Sequence, residues 1–345
     1  METQESEATL DTAEPVVEVL GRVEQPWHRF LRDHGNLIVD APSGGQLEIE
    51  VLPAPKGPLP GIGRFENNLA RKAIIVMRPS RDGEISSGSM VRADLMGTTT
   101  LTYTLGVLGP REMDICTWVM GRWRSGSSMV QFSLRELSRA LGIKWKGQLG
   151  RDLGDSLRRL KATTISGSVY DPKTRRRSTA HISIFDMVHI AERNVGAQSP
   201  TAAGATVTVQ LSTWLTEQLM AGQFSDFDWD TYRRLIDNPF IRRLFVLFES
   251  EQGSPDGTFL EFPVNEKLGN TIGTDEATAN PSRFRSRIAH AGKEICAIHK
   301  QYESVRLKAG ERRGEYRLEV RRMAGWYQEK IADRRRLKAA SAVAV

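Results

Sequence analysis

The chain is poor in several features that would otherwise decide its class. It holds 2 cysteines in 345 residues. Both, Cys116 and Cys296, sit among apolar neighbours in segments that read as helix. They are expected as buried small hydrophobes, with no disulfide framework and no metal site. No run approaches the ~18–20 consecutive apolar residues of a membrane-spanning helix. The opening METQESEATLDTAEPVVEVL is acidic and lacks the basic, apolar, small-residue order of a secretion signal, so a cytoplasmic protein is expected. Gly57, Gly61 and Gly63 lack the Lys-Ser/Thr of a Walker loop and read as linker glycines. The 6 histidines (28, 34, 181, 189, 290 and 299) offer neither two flanking one hydrophobic residue nor an His-x-x-Arg pair. These gaps weigh against metal-and-tyrosine nicking enzymes and against tyrosine recombinases. His290 and His299 read as surface or phosphate-contacting groups. No cofactor is expected.

What is present is uneven charge. Hydrophobic residues make up 39% and charged ones 26%, which fits a soluble chain with a real core. The net charge is +6, but it is concentrated. Met1 to Glu24 carries seven acids against Arg22. Gln131 to Ser178 carries twelve Lys/Arg against four acids, and Arg283 to Lys338 seventeen against seven. Two basic blocks in an otherwise acidic chain point to a polyanion held at two places. Residues 1–66 are acidic and then rich in Pro and Gly (VLPAPKGPLPGIG), and read as a disordered tail and linker.

From Asn68 the pattern becomes apolar. ARKAIIVMRP and TTTLTYTLGV read as short strands. Pro110 opens a helix with Met113, Cys116, Met120 and Trp123 at helical spacing. Ser133 caps the next, with Glu136 closing a capping box. A longer helix then spans 147–161, with Leu149, Leu153, Leu157 and Leu160 on one face and Gln148, Arg151, Asp155, Arg158 and Arg159 away from it. Two strands follow, joined by a loop tipped with Arg175, Arg176 and Arg177. Helix, turn, basic helix and arginine-tipped hairpin together are the order of a winged helix-turn-helix, a reader of double-stranded DNA. The longer helix would enter the major groove, and the tip would lie on phosphates.

The same order returns nearer the C-terminus. Tyr232 to Ser250 reads as a first helix, interrupted but not ended at Asn238-Pro239. EFPVNEKLGNTIG is a short second helix with Gly269 near its end, and Pro281 opens a third. Ser282, Arg283, Arg285, Ser286, Ala289 and Lys293 lie away from its buried stripe. Arg312 and Arg313 tip the hairpin that follows. Asp226, Asp228 and Asp230 alternate, which would suit a divalent metal, but they read better as acids at a helix start. A metal-dependent primase or nicking enzyme built on Asp226 and Asp228 is the enzymatic alternative to a binding protein, and a binding protein is expected.

TYTLGVLGPREMDICTWV, FSLRELSRALG with DLGDSLRRLKATTI, and FDWDTYRRLIDNPFIRRLFVLFE resemble the replication initiator protein A family of plasmid replication initiators. The resemblance covers about 101–250 well and the chain to Arg322 more loosely. It implies binding to repeated sites at a plasmid origin, opening of adjacent AT-rich DNA, and recruitment of host replication proteins such as the replicative helicase or chromosomal initiator. It also implies a homodimer as one form and a nucleoid- or plasmid-associated location. A winged-helix transcriptional repressor shares the fold and is the nearest alternative. The expected architecture is α+β and mainly helical. It has a first winged-helix domain over 67–206, a second over 207–322, and a basic tail over 323–345.

Overall fold

Leu149, Leu153, Leu157 and Leu160, one helical turn apart in sequence, are all buried in the computed structural model. Burial of that stripe makes the segment a helix that packs inward on one side only. The structure describes residues 36–40, 46–50, 62–77, 87–123, 127–171, 174–191, 205–235 and 237–325. Two bodies are distinguished, Met1–Pro55 and Lys56–Val345. In the first, β1 (Asn36–Asp40) and β2 (Gln46–Glu50) form an antiparallel pair. Most of the expected disordered segment over 1–66, and the basic tail beyond Gly325, lie outside the described residues. Where 1–66 is described it holds these two strands and the first strand of the second body.

The second body begins with β3 (Ile62–Glu66) and a single turn, α1 (Asn67–Ala70). Residues 73–76, expected as a strand, are instead an irregular segment whose Ala73, Ile74 and Ile75 are buried. Its backbone is satisfied piecemeal: Ala73 N–H donates to Asp94, Val76 N–H to the Leu108 carbonyl, and Met77 N–H to that of Gly273. It is threaded between elements rather than paired along a ladder. β4 (Gly88–Asp94) and β5 (Gly97–Tyr103) follow as a hairpin.

Next comes a module of three helices. α2 (Pro110–Arg122) starts on its proline as expected; β6 (Met129–Ser133) leads into α3 (Leu134–Ala140). The capping box forms: Glu136 N–H donates to Ser133 Oγ at 3.1 Å, and Ser133 N–H to Glu136 Oε2 at 2.7 Å. α4 (Leu149–Lys161) packs on α2. Then come β7 (Thr163–Asp171), β8 (Arg176–Ser183), β9 (Phe185–Ala191) and β10 (Thr206–Leu211). The short α5 (Thr213–Met220), β11 (Phe224–Asp228) and α6 (Trp229–Arg234) lead to the second module. That module is α7 (Pro239–Ser250), β12 (Phe259–Pro263), α8 (Glu266–Ile272), α10 (Pro281–Ile298), β13 (Tyr302–Ala309) and β14 (Tyr316–Arg322), with a single extra turn, α9 (Glu276–Ala279), before α10, which is thus its third full helix.

The sheets repeat with the modules. In the first, the strand order is β6-β10-β9, and in the second β12-β14-β13. In both, the strand after the first helix pairs with the last strand, the two final strands pair with each other, and the third helix packs on the first. The expected boundary at 206/207 falls at the start of β10, the central strand of the first module's sheet. A further strand pair, β3 with β11, joins the start of the body to the link between modules.

Three expectations need correcting. Strand and helix contribute about equally among the described residues, so the chain is α+β without being mainly helical. Residues 232–250 are not one interrupted helix. Asn238 caps a new one, accepting from Ile241 N–H at 3.4 Å, and Pro239, which has no N–H to give the previous turn, starts it. Gly269 lies inside α8, where a Cβ would come 2.6 Å from that of Ala277. The residue that ends the helix is Gly273, at φ 100°.

Glu66 shows what burial does to a cap. Leu69 N–H donates to its Oε2 at 2.7 Å and Asn68 Nδ2 to its Oε1 at 2.9 Å. Burial nonetheless pushes its carboxyl from 4.5 up to about 7, against the pull of those bonds and of Arg71. The folded chain therefore keeps a proton that the unfolded chain has lost between these values. Its contribution to stability falls as pH rises through that window, by about 3 kcal/mol in all. Urea unfolding at pH 5 and pH 8 should show this decline in the wild type and a flatter response in Glu66→Gln. An equal slope in both would remove Glu66 as its source.

Candidate nucleic-acid interface

The exposed side of α4 is set by the leucine stripe beneath it. Arg151 and Arg158 are exposed, as are Gln148 before the helix and Lys161 at its end. Arg158 is partly engaged by Asp155, 2.8 Å away on the same face, and Gln148 Nε2 donates to Asp152 at 3.2 Å. Arg159 is different. Its Nη2 donates at 2.6 Å to Glu112, a buried side chain that also accepts from Gly109 N–H at the start of α2. Arg159 also donates to Ser156 at 2.9 Å. It therefore ties α4 to α2, and its expected place among DNA-contacting side chains is corrected to a packing role.

Arg175, Arg176 and Arg177 are all exposed at the β7–β8 turn, with Arg175 at φ 56°. This hairpin does not join the module's own sheet. β7 pairs with β5, giving a separate four-stranded sheet of order β4-β5-β7-β8. The hairpin that matches β13–β14 by strand order is β9–β10, whose connection, 192–204, lies outside the described residues. Sequence alone placed the tip correctly on a hairpin but assigned that hairpin to the wrong sheet.

In the second module, Asn280 caps α10 by accepting from Arg283 N–H at 3.0 Å, and Pro281 begins it. Ser282, Arg283, Ser286 and Lys293 are exposed; Arg285 and Ala289 are half-buried. Ser286 Oγ donates to the Ser282 carbonyl at 3.2 Å. Arg283 lies 3.7 Å from Glu276, and Arg285 stacks over Tyr316 at 4.4 Å. Arg287, missed in the sequence reading, is bound to Glu276 at 2.6 Å and lies over Phe240. Arg312 and Arg313 are exposed at the β13–β14 tip. Also missed were Arg135 and Arg139 on α3 and Lys144 and Lys146 in the turn before α4, all exposed. The signal was the basic block that contains them.

The aspartates have structural partners. Asp226 is gripped by Arg64 at 2.6 and 2.9 Å, and that guanidinium stacks over Phe224. Asp228 caps α6, accepting from Thr231 N–H at 2.7 Å and Thr231 Oγ1 at 2.6 Å. Those bonds and the one from Asp230 N–H hold its carboxyl below its ordinary value, despite the upward push of burial. Asp230 is already in the helix, facing Arg233 at 3.9 Å. Among the described residues, no group of three His, Cys, Asp or Glu is placed to hold a metal ion. Cys116 is buried and free, its thiol pushed up by burial, and Cys296 is half-buried and free. His290 is exposed, whereas His299 is buried against Phe245 and Tyr302, which corrects its reading as a surface group. No described helix is long and apolar enough to cross a membrane.

These features define an α+β protein built on a twice-used unit of three helices and three strands, each unit presenting cations on its third helix. Residues 117–261 match the family model of Replication initiator protein A. The matched span runs from within α2 to β12, close to the 101–250 on which the resemblance was read. Among solved structures, a crystal structure of domains 2 and 3 of RctB aligns with TM-score 0.46 at 10% identity, covering 74% of this chain and 98% of that one. A second RctB structure of the same domains gives 0.43 at 9% identity, covering 74% and 97%. No curated protein sequence matches the chain.

Proposed function

We propose that the chain is a sequence-specific DNA-binding initiator of plasmid replication, made of two winged-helix domains in tandem. The observation that carries this reading is the repeated strand order, β6-β10-β9 and β12-β14-β13, beside a third helix with exposed cations in each module. α4 and α10 are its recognition helices, entering successive major grooves about one helical turn apart. Arg151, Arg158, Ser286, Ala289 and Lys293 face base edges. Arg312 and Arg313, with Arg135, Arg139, Lys144 and Lys146, hold phosphates. The ligand is double-stranded DNA carrying origin repeats; opening of AT-rich DNA, recruitment of host replication proteins and homodimer formation follow from the same reading. The protein works by binding and has no catalytic site of its own. The structural partners of Asp226 and Asp228 support that view.

The test is fluorescence anisotropy over a salt series, with one duplex carrying the direct repeats beside the gene and one carrying a scrambled version. Tight, repeat-selective binding with a steep salt slope is expected. Arg151→Ala or Arg158→Ala should cost ~1–3 kcal/mol on the repeats and little on the scrambled duplex. Arg312→Ala should weaken both alike and lower the salt slope by about one. Weak binding indifferent to sequence in the wild type would sink the proposal.

A further inference from the structure

The β4-β5-β7-β8 sheet is not part of either repeated unit, yet it presents a whole face to solvent. Its inner side is ordinary core: Leu101, Ile165 and Ile182 are in register and buried. Its outer side is unusual in composition. One row across the four strands is Val91, Thr100, Ser166 and His181. The next is Ser89, Thr102, Thr164 and Ser183. On the other flank Thr98 lies on β5 opposite Ala93, and Ser168 pairs with Thr179. None of these side chains is buried, and Val91 is 65% exposed.

Threonine suits strands, so hydroxyls on a sheet are not surprising in themselves. The absence of acids is the informative part. A solvated surface ordinarily mixes charges of both signs, about a quarter to a third of its residues. In these rows no Asp or Glu faces outward; the charged member is Arg177, opposite Tyr170 at the arginine-tipped end, and the remaining titratable groups are Tyr170 and His181. His181 Nδ1 lies 2.7 Å from Ser166 Oγ. The acid nearest the tip, Asp171, accepts from Thr174 Oγ1 at 2.9 Å within the turn. At that turn Arg175 holds a left-handed backbone, φ 56°, which favours glycine and costs an arginine about 1 kcal/mol or more. A position where glycine would be easier keeps a cation instead. β7 begins two residues after α4 ends, so the sheet continues directly from that helix.

We propose that this face is a second DNA-contacting surface, lying along the sugar–phosphate backbone with hydroxyl donors across the sheet and Arg175 and Arg177 at its end. The proposal rests on DNA being the ligand and adds a surface outside both helix units. Hydroxyl side chains are common donors to phosphate oxygens, and such contacts carry no sequence information. The face should therefore add affinity that is salt-sensitive and sequence-indifferent.

The experiment places charge on the face. Thr102→Glu/Thr179→Glu and Thr102→Lys/Thr179→Lys are compared with wild type on a scrambled duplex of about 30 base pairs, roughly three helical turns, at low salt. Met220→Glu and Met220→Lys, at an exposed position on α5, control for net charge. Circular dichroism and sedimentation velocity accompany each protein. The expected result is at least tenfold weaker binding with the glutamates and several-fold tighter binding with the lysines, with smaller changes at Met220 and unchanged fold and oligomeric state. Misfolding would weaken both face variants, so the opposite signs keep the test decisive. Equal affinities for face variants and wild type, while Arg151→Ala still loses repeat binding, would overturn this inference and leave the function standing. Loss of a wild-type dimer in both face variants would also overturn it and assign the face to a second copy. A wild type that binds no duplex would overturn both.

Discussion

Arg243→Ala should unfold at a much lower urea concentration than the wild type, with a stability loss on the order of 4 kcal/mol or more. Arg243 is fully buried on α7 and has no carboxylate among its hydrogen-bond partners. Instead it donates to the Thr271 carbonyl at 3.0 Å, that of Leu69 at 3.2 Å and that of Lys72 at 2.9 Å, with Met113 sulfur at 3.9 Å. One guanidinium thus satisfies carbonyls from α1, from the turn that follows it and from the end of α8. Each buried acceptor left unpaired costs roughly 1–3 kcal/mol, and the emptied volume adds to that. Burial lowers the group to about 10, against the upward pull of Tyr232, Asp94 and Cys116. It is still protonated at neutral pH, so the charge is held by carbonyl dipoles. Arg243→Lys should recover only part of the loss, because an ammonium lacks the planar fork that reaches three acceptors at once. A change below about 1 kcal/mol for Arg243→Ala, within the range of a surface substitution, would show that the carbonyls find water or other donors.

The second large effect is expected at Asp114 on α2. Tyr232 Oη donates to its Oδ1 at 2.7 Å, and Arg242 forms an ion pair with its other oxygen. The three side chains join α2, α6 and α7, and all are buried. Burial pushes the Asp114 carboxyl up, and Arg242 and Tyr232 pull it back. Asp114→Ala leaves a buried guanidinium uncompensated, which costs about 3–5 kcal/mol. Replacing both partners, Asp114→Leu with Arg242→Met, should restore much of that loss, since the penalty comes from the orphaned charge rather than from the missing pair. Chemical denaturation of the two single variants and the double closes the cycle. A double variant as unstable as the sum of the singles would refute the coupling.

Much of the local structure was legible because its causes are local. The leucine period of α4, the Ser133–Glu136 box and the Pro110 and Pro281 starts each involve residues within a turn or two, and all were found where expected. What failed depended on partners far away in sequence. Arg159 has the spacing of a surface cation, and only Glu112, on another helix, shows that it is drawn into a half-buried ion pair. His299 looked isolated until Phe245 and Tyr302 closed around it. The arginine-tipped hairpin was recognised as a hairpin, but nothing near it in sequence says that β5, rather than β6, is its neighbour. Strand partners are set by the packing of both sheet faces, which the alternation within one strand does not report.

The pairing of β6 with β10 sets the order in which the protein can assemble. Residues 129–133 find their partner only at 206–211, after an entire hairpin has been made that belongs to another sheet. β3 waits longer still, for 224–228. Helices α2, α3 and α4 can form early from near-neighbour contacts, but the sheet beside them closes only when the chain has returned from the far side of β9. Long loops closed late slow folding and leave strand edges bare meanwhile. The sheet of the first module is therefore completed only by the segment that leads into the second.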